Sequence, residues 1–304
     1  MNFSKFTMTL DTRQCDAFLA AAETGSFELA AARLNVTPSA ISQRLAALET
    51  TLGRPLLIRS RPCRATVAGQ RLLQYLRRSR LLEAEFLAET NDEHDVPVQV
   101  AIAVNNDTLG TWLLPALADF LAQENMAIEI ILDDQTYTYS LLEKGLALAG
   151  VSSEPQPMRG CTVQPLGVMR YRLLASRAFK RRWFPDGFTR EAARKAPVMF
   201  FDRKDKLQAD FIERRLGLLP GAYPVHYVPS SDPFVRSITL GLGYGMLPAQ
   251  QYRDGLETGE LVDLCPGEYM DVPLYWHAWR VQSPLLERLG QRIVAAARGE
   301  LGPD

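Results

Sequence analysis

Cysteine and histidine are scarce in this chain, and neither is grouped. The four cysteines, Cys15, Cys63, Cys161 and Cys265, are widely scattered with no C-x-x-C pair, which argues against a disulfide framework or a cysteine zinc site. The three histidines, His94, His226 and His277, show no metal-ligand spacing. No nucleophile elbow, phosphate loop or dinucleotide glycine fingerprint occurs either. An enzyme, a metal centre and a bound cofactor are therefore not expected. No apolar run approaches the roughly 18–20 residues of a membrane helix, and the opening MNFSKFTMTLDTR lacks the apolar core of a signal peptide. The expectation is a cytoplasmic protein with no membrane partner.

A large excess of either charge is missing too: the net charge is −1 over 304 residues, of which 47% are hydrophobic and 23% charged. Those proportions are those of a soluble globular protein, and the length suggests two or three folding units. The charge is unevenly divided. Residues 1–90 hold 12 Lys and Arg against 8 Asp and Glu, whereas residues 91–304 hold 22 against 27. A basic module ahead of an acidic body fits nucleic-acid binding at one end only.

What is present is concentrated in residues 25–61. Phe27, Ala30, Ala31 and Leu34 recur at helical spacing after Ser26, so a short helix buries one face. Asn35-Val36-Thr37-Pro38 breaks it. Thr37 is an N-cap, and Pro38 takes the first helical position, where its missing N–H costs nothing. The next helix buries Ile41, Leu45, Leu48 and Leu52 and stops at Gly53. Ser39 and Gln43 point away from that stripe, with Ser42 and Ala46 flanking them. Gln bonds adenine bidentately, and Ser bonds a base or a phosphate.

Leu56-Leu57-Ile58 reads as a short buried strand, and Arg59, Arg61 and Arg64 then alternate with small or rigid residues. Between Arg33 and Arg64 there are six arginines and one acid, Glu49. The pattern fits a winged helix-turn-helix whose wing arginines meet phosphates or the minor groove; the plainer readings are an ordinary amphipathic surface helix followed by a solvated basic loop. The DNA-contact candidates are Thr37, Ser39, Ser42, Gln43, Arg44, Arg59, Arg61 and Arg64. Cys63 in this wing is either a plain small residue or a thiol made redox-sensitive by neighbouring arginines.

The run Gly25-Ser26-Phe27, Ala30-Ala31, Leu34, Thr37-Pro38-Ser39-Ala40-Ile41-Ser42, Leu45, Leu48-Glu49, Leu52-Gly53 and Leu56-Leu57-Ile58-Arg59 resembles the LysR-type transcriptional regulators. Later stretches resemble the ArgP/LysG subgroup, regulators of basic amino-acid export: NNDTLGTWLLPAL (105–117), FPDGFTR (184–190), KAPVMFFDRKD (195–205), SSDPFV (230–235) and LYWH (274–277). The resemblance implies an α+β multidomain chain. A winged helix-turn-helix (1–65) and a long linker helix (66–89) precede a hinge (90–97). A two-lobed α/β effector domain of the periplasmic-binding-protein kind comes next, with lobe I at 98–168 and 273–304 and lobe II at 169–272. The resemblance also implies a homodimer formed through the linker helix, tetrameric on promoter DNA, with RNA polymerase as a further candidate partner. The implied effector is lysine or arginine. The residues alone leave two alternatives, a different small-molecule effector and a solute-binding protein that does not act on DNA.

The long helix over 66–89 carries Leu72, Leu73, Leu76, Leu81, Leu82, Phe86 and Leu87, with Thr66 as its cap and Gly69 where a capping-box Glu would help. Beyond the hinge, strands alternate with helices, the sign of a parallel sheet covered on its faces. Strands are expected at 98–104, 128–132, 147–152, 198–201, 225–228 and 244–247, and helices at 108–123, 139–144, 206–216 and 231–240. Crossing segments fall near 168–175 and 272–279, and a C-terminal helix spans 283–298. Such lobes bind ligands beyond the carboxyl ends of their strands. Asn105, Asp107, Thr108, Trp112, Asp134, Thr136, Ser152, Asp202, Ser231 and Asp232 fall at those turns. Hydroxyls and N–H groups there suit an α-carboxylate, and the acids suit an ammonium or guanidinium tail. Each is equally readable as an ordinary cap, and Trp112 as core.

Overall fold

The computed structural model describes residues 10–90, 97–132 and 140–302. They form two compact units: one holds the described residues up to Val98 with Ser140–Leu148, the other the remainder from Gln99 onward.

The first unit is built from helices α1 (Thr12–Thr24), α2 (Phe27–Arg33) and α3 (Pro38–Leu52), a two-stranded hairpin and the long helix α4 (Val67–Thr90). Each start has a local cause. The side chains of Asp11, Ser26 and Thr37 accept from the backbone N–H three residues on, a cap contributing about 1 kcal/mol. Phe18, Ala30, Ile41, Leu45 and Leu48 are fully buried in one core, joined by Leu72, Leu73 and Leu76 of α4. The hairpin pairs β1 (Leu57–Ile58) antiparallel with β2 (Arg64–Ala65). Leu56 and Leu57 are buried but Ile58 is exposed, because successive strand side chains face opposite ways; the expected three-residue buried strand is shorter than that.

Thr66 caps α4, its hydroxyl accepting from the Gly69 N–H at 3.0 Å. A side chain at 69 is sterically barred, since its Cβ would lie 2.0 Å from the Leu56 carbonyl oxygen. Close packing therefore explains the glycine where a capping-box Glu was the sequence alternative. Leu82, Phe86 and Leu87 stay 45%, 63% and 48% exposed. Ser140–Leu148 packs on the same helix: the Gln74 amide donates to the Glu143 carbonyl at 2.6 Å, and Arg77 donates to that of Leu146.

The second unit has two lobes threaded by two long strands, β6 (Cys161–Ser176) and β11 (Met270–Trp279), paired antiparallel along their shared length. On one side β11 continues onto β5 (Ala149–Ser152), which pairs parallel with β3 (Val98–Val104), and β4 (Met126–Leu132) lies at the edge. On the other side β6 takes β9 (Gly245–Pro248) and β10 (Leu261–Asp263), with β7 (Val198–Phe200) and β8 (Val225–Tyr227) parallel beyond. The sheet is thus mixed rather than parallel, because the crossing strands run against their neighbours. The helix expected to start at Thr108 starts at Asn106, capped by Asn105, as α5 (Asn106–Thr108). It passes through a π-helical turn at Leu109–Leu113 before continuing as α6 (Leu114–Gln123). The C-terminal helix Pro284–Glu300 covers this lobe, packing on α6 and the π turn.

Candidate DNA-contact face and effector crevice

Ser39 and Gln43 are exposed on α3, and Ser42 and Arg44 are half-buried beside them, opposite the buried Ile41, Leu45 and Leu48. Arg59, Arg61 and Arg64 are exposed on the wing. None of these arginines, nor Arg44, makes an ion pair among the described residues. Arg33 differs: Glu23 holds it at 2.6 Å. The one acid in this basic stretch neutralises none of the wing arginines. Glu49 accepts from the Leu56 and Leu57 N–H groups at 2.7 and 3.3 Å, fastening the wing to α3. A glutamate seven residues before its partner carries no local signal of that role.

Cys63 is the wing's second anchor. Its N–H donates to the Gly25 carbonyl at 2.8 Å and its thiol to that of Ala21 at 3.1 Å. Burial pushes the thiol above its ordinary pKa. Its burial and these two hydrogen bonds support the reading of Cys63 as a plain structural residue.

In the second unit the strand ends converge on one crevice of about 260 Å³. Asn105 and Asp107 come from the turn after β3, Asp202 from the turn after β7, and Ser231 from the first turn of the helix Ser231–Thr239. Four of the ten sequence candidates therefore line it. Asn105 is buried and caps α5, accepting from the Thr108 N–H at 3.0 Å. Asp107 accepts from the Tyr171 hydroxyl at 2.7 Å and from the Ser231 hydroxyl at 3.3 Å. Asp202 closes its own turn, accepting from the N–H groups of Lys204 and Asp205 at 2.6 and 3.0 Å.

The other candidates lie elsewhere. Thr108 and Trp112 are buried in the lobe and do not line the crevice; the Thr108 hydroxyl and the Trp112 indole N–H have no partner among the described residues. For Trp112, core is the reading the packing supports. Ser152 is buried under a turn, accepting from the Glu154 N–H at 3.1 Å, and the Glu154 carbonyl lies 2.8 Å from His277 Nε2. Asp232 is on the exposed side of its helix, one position past Ser231, and faces away from the crevice. Asp134 and Thr136 lie outside the described residues.

Several lining residues carry no sequence signal of this role. Tyr171 belongs to the crossing strand β6, where it reads as core. Asp205 accepts from the Phe201 and Leu207 N–H groups and from Gln208, each near 3 Å. Gln208 is buried and also accepts from the Met246 N–H at 2.8 Å. Gln251 donates to the Ser231 hydroxyl at 2.7 Å. With Asp107, Asp202 and Asp205 against Lys204, carboxylates outnumber cations in the lining. No cluster of His, Cys, Asp and Glu able to hold a metal occurs among the described residues.

Comparison with known proteins decides the family. Residues 12–70 match the bacterial regulatory helix-turn-helix proteins of the lysR family, and residues 98–298 match the LysR substrate binding domain. The chain belongs to the LysR family. Its LysR relatives include the HTH-type transcriptional regulator ArgP of Aeromonas salmonicida, 43% identical over 97% of this chain and 99% of the relative. The crystal structure of ArgP from Mycobacterium tuberculosis is 39% identical, with TM-score 0.83 over 97% of this chain and all of that one. Full-length LysG from Corynebacterium glutamicum, solved with bound effector Arg, is 35% identical, with TM-score 0.78 over 97% and 100% of the two chains. These relatives are regulators, not enzymes. Among the described residues no helix is long and apolar enough to cross a membrane.

Proposed function

We propose that this LysR-family chain binds promoter DNA as a homodimer, tetrameric on DNA, and answers to arginine or lysine held in the crevice. The carrying observation is the carboxylate-rich lining of a cavity sized for one amino acid. At about 260 Å³, it lies just below the roughly 300–1,000 Å³ of drug-sized sites. Asp107, Asp202 and Asp205 suit an ammonium and a guanidinium, the latter a bidentate partner for carboxylates. Lys204, with the amide and hydroxyl groups of Asn105, Gln251 and Ser231, suits the α-carboxylate. The Arg bound to the LysG relative supports the same ligand class.

On the DNA side, Gln43 and Ser39 would read base edges, Ser42 and Thr37 would meet base or backbone, and Arg44, Arg59, Arg61 and Arg64 would hold phosphates. The exposed Leu82, Phe86 and Leu87 on α4 supply an apolar stripe for pairing with a second copy. A two-fold dimer reads half-sites about one helical turn apart, or a multiple. The effector acts as a switch only by binding one arrangement of the protein better than another. RNA polymerase is a further proposed partner.

The test is fluorescence anisotropy of the full chain on the DNA upstream of its own gene, with and without arginine and lysine. Saturable, salt-sensitive binding whose affinity or footprint shifts with a basic amino acid supports the reading. Binding indifferent to both amino acids removes the proposed effector.

A further inference from the structure

Gly110 lies in the π-helical turn Leu109–Leu113, does not line the crevice, and has no role in the DNA-contact face. π turns inside helices recur at functional sites. A Cβ at residue 110 would stand 2.9 Å from both Cβ and Oγ of Ser231, on the opposite lobe. Its φ is not left-handed, so the glycine answers to closeness, not to torsion. One turn earlier, Asp107 accepts from the Ser231 hydroxyl at 3.3 Å, and that hydroxyl in turn accepts from Gln251 at 2.7 Å. Tyr171 of β6 holds the other Asp107 oxygen at 2.7 Å.

We propose that Gly110 and the Asp107–Ser231–Gln251 chain form an interlobe latch, with Gly110 the positioning residue that sets effector affinity without touching the effector. The lobes meet at Ser231 because residue 110 has no side chain. Their meeting places Asp107, Ser231 and Gln251 around one end of the crevice. A methyl group at 110 wedges the lobes apart, and apparent affinity falls by the fraction of closed protein lost. The affinity consequence rests on the crevice being the effector site; the latch itself does not.

The experiment compares wild type, Gly110→Ala, Ser231→Gly and the double variant as full-length protein. Amide exchange of the Ser231–Thr239 helix in ligand-free protein reports closure, and calorimetry with arginine reports affinity. Gly110→Ala is expected to speed exchange at the start of that helix about tenfold and to weaken arginine about tenfold. Adding Ser231→Gly makes room for the methyl, so the double variant returns to within about threefold of Ser231→Gly alone. Wild-type exchange and affinity in Gly110→Ala would overturn the latch, as would a double variant more than about threefold worse than Ser231→Gly alone. If wild type takes no arginine, the effector reading falls while the exchange comparison still decides the latch.

Discussion

The DNA-contact face and the crevice differ in how far apart in sequence their working residues stand. The proposed DNA contacts, Thr37 to Arg64, come from a capped helix and an adjoining hairpin, and nearly every position is set by its neighbours. The crevice gathers residues from Asn105 to Gln251, and no neighbour announces Tyr171, Asp205 or Gln208. They differ in charge as well. The wing arginines are exposed and free of ion pairs among the described residues, as a phosphate-binding surface requires. The crevice carboxylates are engaged with N–H and hydroxyl groups, so a ligand must join or displace those bonds. The surface proposed to read a polyanion keeps its charges open; the cavity proposed to select one small molecule holds its polar groups in place beforehand.

The largest expected effect separates the two regions outright. Leu45 is fully buried in the helix-turn-helix core, and Leu45→Ala should cost about 2–5 kcal/mol. Urea unfolding should show the loss and DNA binding should fail, with arginine affinity within about twofold of wild type. Joint loss of both functions would mean the regions are not separable. Next, Asp107→Asn removes the carboxylate shared by Tyr171 and Ser231. Arginine affinity should drop about 10- to 100-fold by calorimetry, with effector-free DNA affinity within about threefold.

Gln43→Ala should then lower specific DNA affinity by about 1–3 kcal/mol, and Arg61→Ala should flatten the log–log salt slope by about 0.9. An unchanged slope would take Arg61 off the DNA. A smaller effect concerns pH. His277 is fully buried, and burial holds its pKa below the ordinary value. The unfolded chain binds a proton there that the folded chain refuses. Stability is therefore complete above about pH 6.5, the ordinary histidine value, and declines as pH falls through the folded pKa. Unfolding midpoints at falling pH should show this slope, and His277→Gln should reduce it. The smallest effect is Asp232→Asn, expected to leave arginine affinity within about twofold because Asp232 faces away from the crevice.

How much could be read in advance divides along the same line. Caps and helical period are local, so α2, α3 and α4 were legible to within a residue or two; of the hairpin only the first strand was, since Arg64–Ala65 carries no strand signal of its own. Strand and helix alternation located most elements of the second unit. It missed the antiparallel course of β6 and β11, which depends on pairing across more than a hundred residues. Turn position found Asn105, Asp107, Asp202 and Ser231, but it could not tell Ser231 from Asp232, because one helical step of about 100° decides which faces the cavity. Trp112 and Thr108 failed as crevice residues for a related reason. The helix begins at Asn106 rather than Thr108, and Trp112 falls inside the π turn Leu109–Leu113, with both side chains buried in the lobe.

The most direct test of a carboxylate-lined crevice selecting a basic amino acid is calorimetric titration of the full chain with arginine and with citrulline, which keeps the shape of the tail but not its charge. Arginine is expected to bind at least tenfold more tightly than citrulline, and the difference should shrink in Asp107→Asn. Equal binding of the two would contradict a charge-selective crevice.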